Sequence, residues 1–502
     1  MTTKVVKGSL WTLTGQVLPL FVSLVSTPFI IRFLGSEGYG VLILVALIPN
    51  YFAFADIGMG IASTKFGSEA YGQGDKKKEG EIVRTAALIA FLGCLVVAAP
   101  IFIFSHWIIT DWFNVSENYQ ATASIALKIT SVSFVIGIIS SVLNTPQLAR
   151  LRMDLNTLVN AVPKILMGIV TPLVLYFGGY LIEAVCVALL TAVVGFVANV
   201  YFSVKLLPEL AKPTINKSLY RPLLKFGGGW LIAVIAATLL VNLEKIFLAN
   251  LVSVKSLAYY SVAFTFANMA GMFSVAMIQS LVPAFSQLLA PEKKGELNQL
   301  FSRITRLNLI WLLPTMMVMF VIAKPFFTIW AGAEFGQEST FPFYILLLGL
   351  CFNIVAYIPH SVIMASGRTD VFAKLYWLEL IIYILLVVWL VNLFQIKGAA
   401  LAWSLRVIID GLIIIWLSKK IVGVDFKFFS YFYILMFGSL LLLPPILFAV
   451  FYDNFSPWLF VLTPLSACSY ALLIWKKFID ANEKEWIINR VTQLAPFLKK
   501  GN

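Results

Sequence analysis

The chain has 502 residues, of which 60% are hydrophobic and only 12% are charged, and its formal net charge is +13. Soluble globular domains carry about 25% charged residues, so this composition excludes that class and predicts an integral membrane protein. The basic excess alone would fit a nucleic-acid partner, but the placement of the charges along the chain indicates membrane topology instead.

Fourteen apolar runs follow one another along the chain, and each has the roughly 20 residues that a helix needs to cross a bilayer. Their hydrophobicity does not alternate from residue to residue, as it would in the strands of a membrane barrel, so the sequence predicts an all-α protein. The runs lie at 10–31, 41–61, 83–105, 122–144, 158–178, 180–203, 226–250, 257–286, 308–331, 341–364, 371–393, 397–418, 428–451 and 456–475.

Lysine and arginine are concentrated in every second loop, which predicts the orientation of the chain by the positive-inside rule. With both termini in the cytoplasm, most of the 37 basic residues fall on the cytoplasmic side, and the outer loops hold only Arg32, Lys255, Lys324 and Lys397. We therefore expect a multi-pass protein of the bacterial cytoplasmic (inner) membrane. A nucleic-acid partner is not expected.

The runs fall into groups separated by polar segments. Tyr39 and Asn50 after the first run correspond to Tyr259 and Asn268 after the seventh, a faint similarity that favours two parallel repeats. The predicted organisation is a six-helix lobe at 1–207, a cytoplasmic connector at 208–225, a second six-helix lobe at 226–420, two additional helices at 421–477 and an amphipathic cytoplasmic tail at 478–502.

The stretch 32–62 carries the most specific pattern of the chain. It reads Arg-Phe-Leu-Gly, an acidic residue, Tyr-Gly, an apolar helix and then Asp-Ile-Gly-Met-Gly, with three glycines at 34–40 that we expect to let the backbone reverse. This order resembles the first hairpin of the Wzx-type polysaccharide flippases, within the multidrug/oligosaccharidyl-lipid/polysaccharide exporter superfamily. The resemblance implies fourteen helices, with two six-helix lobes around a central cavity and two C-terminal helices.

The same resemblance implies a flippase that moves an undecaprenyl-pyrophosphate-linked oligosaccharide to the outer leaflet for the synthesis of O-antigen, capsule or exopolysaccharide. Lipid II flippases and multidrug or cation antiporters of the same fold are the alternatives. The expected partners are the lipid-linked oligosaccharide, membrane lipids and a coupling proton or sodium ion. We expect a monomer, associated with the polysaccharide polymerase machinery.

An enzyme of lipid-linked sugars is disfavoured, because such enzymes need acid–base or nucleophilic groups near the outer surface. The outer loops are short, and neither His106 nor His360 has a carboxylate near it in sequence. The four cysteines all fall inside apolar runs without metal-ligand spacing. We therefore expect no catalytic residue, no metal and no cofactor.

Ionisable side chains inside apolar runs are the candidate site residues, because burying them in a membrane is costly without a partner or a ligand. The basic ones suit the phosphates of the substrate, and the acidic ones suit ion coupling. The candidate substrate-binding residues are Lys128, Lys164, Lys245, Arg406 and Arg32. The candidate coupling residues are Asp56, Glu379, Asp410 and Glu244.

Each of these residues also has a purely structural interpretation. Arg406 and Asp410 are spaced to form a self-neutralising pair on one helix face, and Lys245 can extend to the membrane surface. Lys128 and Lys164 have no acid within one turn, so their partner is expected to be a ligand or a residue of another helix, such as Asp56.

Overall fold

The computed structural model describes residues 2–271, 281–282, 284–368, 370–424, 428–452, 456–479 and 484–485. These residues form helices and short connections without any strand, which confirms the predicted all-α class. Among them, eleven helical segments are long and apolar enough to cross a membrane. Two of the eleven each cover most or all of two predicted runs, and the eighth run extends beyond the described residues, so the helices are consistent with fourteen spans.

Most helices of the described residues follow the predicted runs, but the second run at 41–61 is divided between a helix that ends at Asn50 and one that begins at Met59. They are α1 (Thr2–Asn50), α2 (Met59–Gly72), α3 (Lys76–Ile103), α4 (Ser105–Trp107), α5 (Glu117–Leu143), α6 (Thr145–Ala149), α7 (Met153–Tyr176), α8 (Leu181–Leu206), α9 (Tyr220–Leu251), α10 (Val254–Met269), α11 (Lys294–Ala331), α12 (Ala333–Glu338), α13 (Thr340–Ala365), α14 (Asp370–Val422), α15 (Phe428–Phe451) and α16 (Leu459–Lys477).

The chain forms two compact units within the described residues. The first comprises 1–262 and 370–402, and the second comprises 263–369 and 403–502. The lobe boundaries expected from the sequence remain a prediction. The tail expected at 478–502 lies outside the described residues, apart from 478–479 and 484–485.

Two of the long helices are broken internally. The break in α1 is at Gly35, where φ is +74°, and the break in α14 is at Gln395, where φ is +51°. The expectation that three glycines reverse the chain was wrong, because Gly38 and Gly40 are helical and serve packing instead. A Cβ on Gly38 would lie 3.0 Å from the Tyr119 hydroxyl, and one on Gly40 would overlap the Val254 carbonyl.

The Asp-Ile-Gly sequence directly precedes α2, and its backbone lies against the backbone of α9. Ile57 and Gly58 both have left-handed backbones, with φ of +55° and +70°. A Cβ on Gly58 would lie 2.8 Å from the carbonyl oxygen of Gly227 in α9, and a Cβ on Gly227 would overlap the Ile57 carbonyl. Glycine is therefore required on both sides of this crossing.

We expect Gly227→Ala to lower the amount and the melting temperature of the folded protein, because its methyl group would push α9 away from Ile57. Gly228→Ala is the matched control, since a Cβ at Gly228 meets no atom within 4 Å. In a helix that substitution stabilises by up to about 1 kcal/mol. Thermal unfolding of the purified variants measures the difference. Equal melting temperatures for Gly227→Ala and Gly228→Ala would contradict the close backbone contact between Gly227 and Ile57.

Candidate functional site

The first unit contains a cavity of about 590 Å³ beside the start of α2. Its walls come from the 3₁₀ turn Ala53–Asp56 and from α2, α5, α6 and α9. The polar side chains of the lining belong to Asp56, Thr64, Lys65 and Ser141, and the others are apolar or glycine. Asp56, a site residue expected from the sequence, therefore lines a cavity together with Lys65, which was not among the expected site residues.

Asp56 is held in place by the backbone of the next helix. One carboxylate oxygen accepts from the N–H of Gly58 at 2.9 Å, and the other accepts from the N–H of Gly60 at 3.2 Å. A negative charge is favourable there, because the first N–H groups of α2 have no partner within the helix. Asp56 thus has a structural role and still presents its carboxylate to the cavity.

Lys65 lies two turns into α2 on the face that lines the cavity. Thr64 and Lys65 follow Ile61 by three and four residues, about one turn, so all three side chains project from the same side of the helix. The ammonium group lies 4.4 Å from the ring centroid of Phe226 and 4.9 Å from that of Phe66. Cation–π contacts stabilise the charge and leave its hydrogen-bond donors available to an anion.

Two hydroxyls lie between these charges in the cavity lining. The Thr64 hydroxyl donates to the Gly60 carbonyl at 2.9 Å, and the Ser141 hydroxyl donates to the Ile138 carbonyl at 2.7 Å. Each hydroxyl oxygen can still accept a hydrogen bond. No ion pair joins Asp56 to Lys65 among the described residues. The cavity can therefore bind a ligand that carries both an anionic group and hydroxyl donors.

Polar contacts hold α2 against α6 beside the cavity. The hydroxyls of Ser63 and Thr145 are 2.7 Å apart, and a Cβ on Gly67 would lie 2.6 Å from the Thr145 methyl group. The turn at α6 then leads to Arg150, whose guanidinium pairs with Glu79 of α3 at 2.5 and 3.0 Å. This pair joins the end of α6 to the start of α3, and the same guanidinium lies 4.4 Å from the ring centroid of Tyr71 in α2.

The other basic residues selected from the sequence lie apart from this cavity. Lys128 is half-buried on α5, with its ammonium 5.8 Å from the ring centroid of Phe102. Lys245 donates to the Asn242 side-chain oxygen at 2.9 Å. Lys164 is exposed on α7, and Arg32 is exposed near the end of the first half of α1. All four belong to the first unit.

The three candidate coupling residues other than Asp56 are all buried. Glu244 is fully buried, and its two carboxylate oxygens accept from the hydroxyls of Tyr260 at 3.2 Å and Tyr383 at 2.9 Å. Glu379 is buried in the first unit, and Asp410 is buried in the second. Arg406 is half-buried one turn before Asp410. The roles of Glu379, Asp410 and Arg406 stay predictions.

The chain is similar in sequence to proteins of surface-polysaccharide synthesis. Residues 5–289 match the polysaccharide biosynthesis protein family. A candidate O-antigen transporter of Shigella flexneri is 21% identical over 420 residues, which cover 84% of this chain and 99% of that protein. The similarity thus extends over nearly the full length of that relative.

Solved transporter structures share the fold. The lipid II flippase MurJ in its inward closed conformation superposes with a TM-score of 0.69 at 15% identity, covering 93% of this chain and 97% of that one. An inward-facing multidrug resistance transporter of the MATE family, in the MOP superfamily, gives a TM-score of 0.67 at 10% identity, covering 81% and 94%. At such identities the comparison concerns the fold alone, and it confirms the predicted architecture class.

Proposed function

The chain belongs to the polysaccharide biosynthesis protein family, and from this premise we propose that it is a flippase for lipid-linked oligosaccharide. It would move an oligosaccharide on undecaprenyl pyrophosphate from the cytoplasmic to the outer leaflet without changing it chemically. The similarity to a candidate O-antigen transporter and the eleven apolar helices support this proposal. The resemblance of the first hairpin to the Wzx-type flippases agrees with it.

The cavity beside α2 supports this proposal, because its lining residues can bind the headgroup of the substrate. Its volume of about 590 Å³ lies within the range of 300–1,000 Å³ that small-molecule sites occupy. Lys65 would donate to the pyrophosphate, while Asp56, Thr64 and Ser141 would accept from sugar hydroxyls. A lysine among hydroxyl acceptors matches an anionic sugar headgroup better than it matches a cationic drug.

The remaining basic residues are proposed to contact the phosphates at other stages of the transport cycle. Each of these residues lies in a helix that is long and apolar enough to cross the membrane; they are Lys128, Lys164, Lys245 and Arg406. A charged side chain at such depth is costly, so an anionic ligand passing it would be attracted. We propose that the protein transports as a monomer with cytoplasmic termini, associated with the polymerase machinery.

Glu244 is the acid with the best-defined surroundings, and we propose that it couples transport to a proton or sodium gradient. Its carboxylate is fully buried, and hydrogen bonds reach it from two other helices, α10 and α14. Protonation or cation binding at this group would change both tyrosine contacts at once. That change would give the ion a direct influence on the packing of three helices.

We expect Glu244→Gln to lower gradient-driven transport about tenfold or more, because glutamine cannot take up the ion that the carboxylate would bind. Tyr383→Phe, which removes the 2.9 Å donor, should have a smaller effect. Glu69→Gln, at an exposed position of α2, is the control. Transport into proteoliposomes with and without an imposed gradient measures the effect, and retained gradient dependence in Glu244→Gln would exclude this role.

Deleting the gene in its host tests the cargo. The proposal predicts loss of surface polysaccharide, with lipid-linked intermediates retained on the cytoplasmic leaflet. Intact polysaccharide with new drug sensitivity would favour a multidrug antiporter instead. Cell lysis with accumulated lipid II would identify the peptidoglycan precursor as the cargo.

A further inference from the structure

The first unit has a second large concavity, a groove between α1 and α7 that the proposed transport mechanism does not use. It encloses about 820 Å³, and most of its lining is apolar. Phe21, Val25 and Phe29 line it from α1, and Ile169 and Leu173 line it from α7. All five side chains are more than a third exposed, so the groove is open rather than enclosed.

Small residues bring the two helices into contact beneath this groove. A Cβ on Gly15 would lie 2.6 Å from the Thr157 methyl group, and one on Gly168 would lie 2.7 Å from a methyl group of Val22. The Ser26 hydroxyl donates to the Gly168 carbonyl at 2.5 Å. These pairings advance together along both helices, so α1 and α7 run parallel and their side chains form the two walls of one continuous groove.

Arg32 lies at one end of the groove, one turn before the break at Gly35. Its side chain is exposed, and it forms no ion pair within the part of the chain that the structure describes. The rings of Phe33 and Tyr176 meet edge to face at 6.0 Å beside it. The groove is therefore apolar along its length and cationic at one end.

The dimensions suit one lipid chain. Phe21 and Arg32 are eleven residues apart, so the lined part of α1 is about 16 Å long at 1.5 Å per residue. The hydrocarbon core of a bilayer is about 30 Å thick, so this length is close to that of one leaflet. The position of Arg32, at the end of the first predicted run, would bring its guanidinium to the level of the lipid phosphates.

We propose that this groove binds an anionic glycerophospholipid of the membrane, with one acyl chain between α1 and α7 and the phosphate on Arg32. Arginine offers paired donors that match a phosphate. An undecaprenyl chain is several times longer than the groove, which favours a phospholipid over the transported lipid. The bound lipid would hold α1 against α7.

Native mass spectrometry of the purified full-length protein tests the site, with lipid removed and phosphatidylglycerol or phosphatidylethanolamine added back. We expect phosphatidylglycerol to be retained preferentially, and Arg32→Gln to weaken its binding about tenfold, as loss of a hydrogen bond to a charged group does. Leu173→Trp should weaken it as well by filling the groove. Met167→Trp, exposed on the same helix but outside the groove lining, should bind as the wild type does.

Three results would overturn the proposal. They are equal retention of the two phospholipids, unchanged phosphatidylglycerol binding by both groove variants, and displacement of phosphatidylglycerol by undecaprenyl phosphate at equal concentration. The last would assign the groove to the transported lipid, as the sequence prediction for Arg32 has it. Lipid retention is measured without transport, so its failure would leave the proposed flippase activity unaffected.

Discussion

Replacing Lys65 by alanine is expected to abolish surface polysaccharide while leaving the amount of membrane-inserted protein unchanged. The cavity lining contains one basic side chain among the described residues, and the substrate headgroup carries the negative charge of a pyrophosphate. A hydrogen bond to a charged group contributes about 1.5–3 kcal/mol, so its loss should weaken headgroup binding roughly 10- to 150-fold. Lys65 is exposed to the cavity, so its removal should cost little stability.

Two further substitutions separate charge from shape at this position. Lys65→Arg keeps the positive charge and should restore part of the polysaccharide, whereas Lys65→Met keeps the apolar stem and should not. Lys77→Ala, at an exposed position in the first turn of α3, is the control for general loss of a positive charge. Complementation of a deletion strain measures all four variants. If Lys65→Ala and Lys65→Met both restore full polysaccharide, Lys65 does not bind the substrate.

Arg150→Ala is expected to have the largest effect on stability. Glu79 is fully buried, and its two oxygens accept from the Arg150 guanidinium at 2.5 and 3.0 Å. The guanidinium also lies 4.4 Å from the ring centroid of Tyr71. Removing one partner of a buried ion pair leaves an uncompensated charge, which costs about 3–5 kcal/mol. The variant should therefore melt well below the wild type and accumulate poorly in the membrane.

The neighbouring Arg152 provides a matched control. It pairs with Asp154 at 2.8 Å, but the two side chains are 46% and 38% exposed. Exposed pairs contribute about 0–1 kcal/mol, so Arg152→Ala should melt close to the wild type. The double variant Glu79→Gln with Arg150→Met should recover much of the loss, because no buried charge remains. Similar melting temperatures for Arg150→Ala and Arg152→Ala would contradict the role assigned to the buried pair.

The fold class was predictable because a bilayer imposes a simple requirement on the chain. Each span must be apolar over about 20 residues and must satisfy its backbone internally, and both properties are visible in local sequence. The break at Gly35 was predictable for the same local reason, since glycine tolerates a positive φ. Gly38 and Gly40 were misassigned because their neighbours, Tyr119 and Val254, are distant in sequence.

The candidate site was only partly predictable. Asp56 was a candidate because an ionisable residue in an apolar run is costly unless it faces a cavity or a partner, and it does line a cavity. Lys65 was missed because it lies just beyond the second apolar run, where a lysine is expected in a loop. Its spacing from Ile61 on one helix face was the available signal. The contact of Tyr383 with Glu244 could not be foreseen, since the two residues are 139 positions apart in sequence.

Translocation by the purified protein tests the central claim most directly. Liposomes containing the protein and a fluorescent undecaprenyl-pyrophosphate-linked oligosaccharide would be treated from outside with a membrane-impermeant reagent that modifies the sugar. Wild-type protein should make nearly all of the labelled lipid accessible, whereas Lys65→Ala liposomes should retain the protected inner-leaflet fraction for much longer. A protected fraction that stays the same with wild-type protein, under every imposed ion gradient, would contradict the flippase assignment.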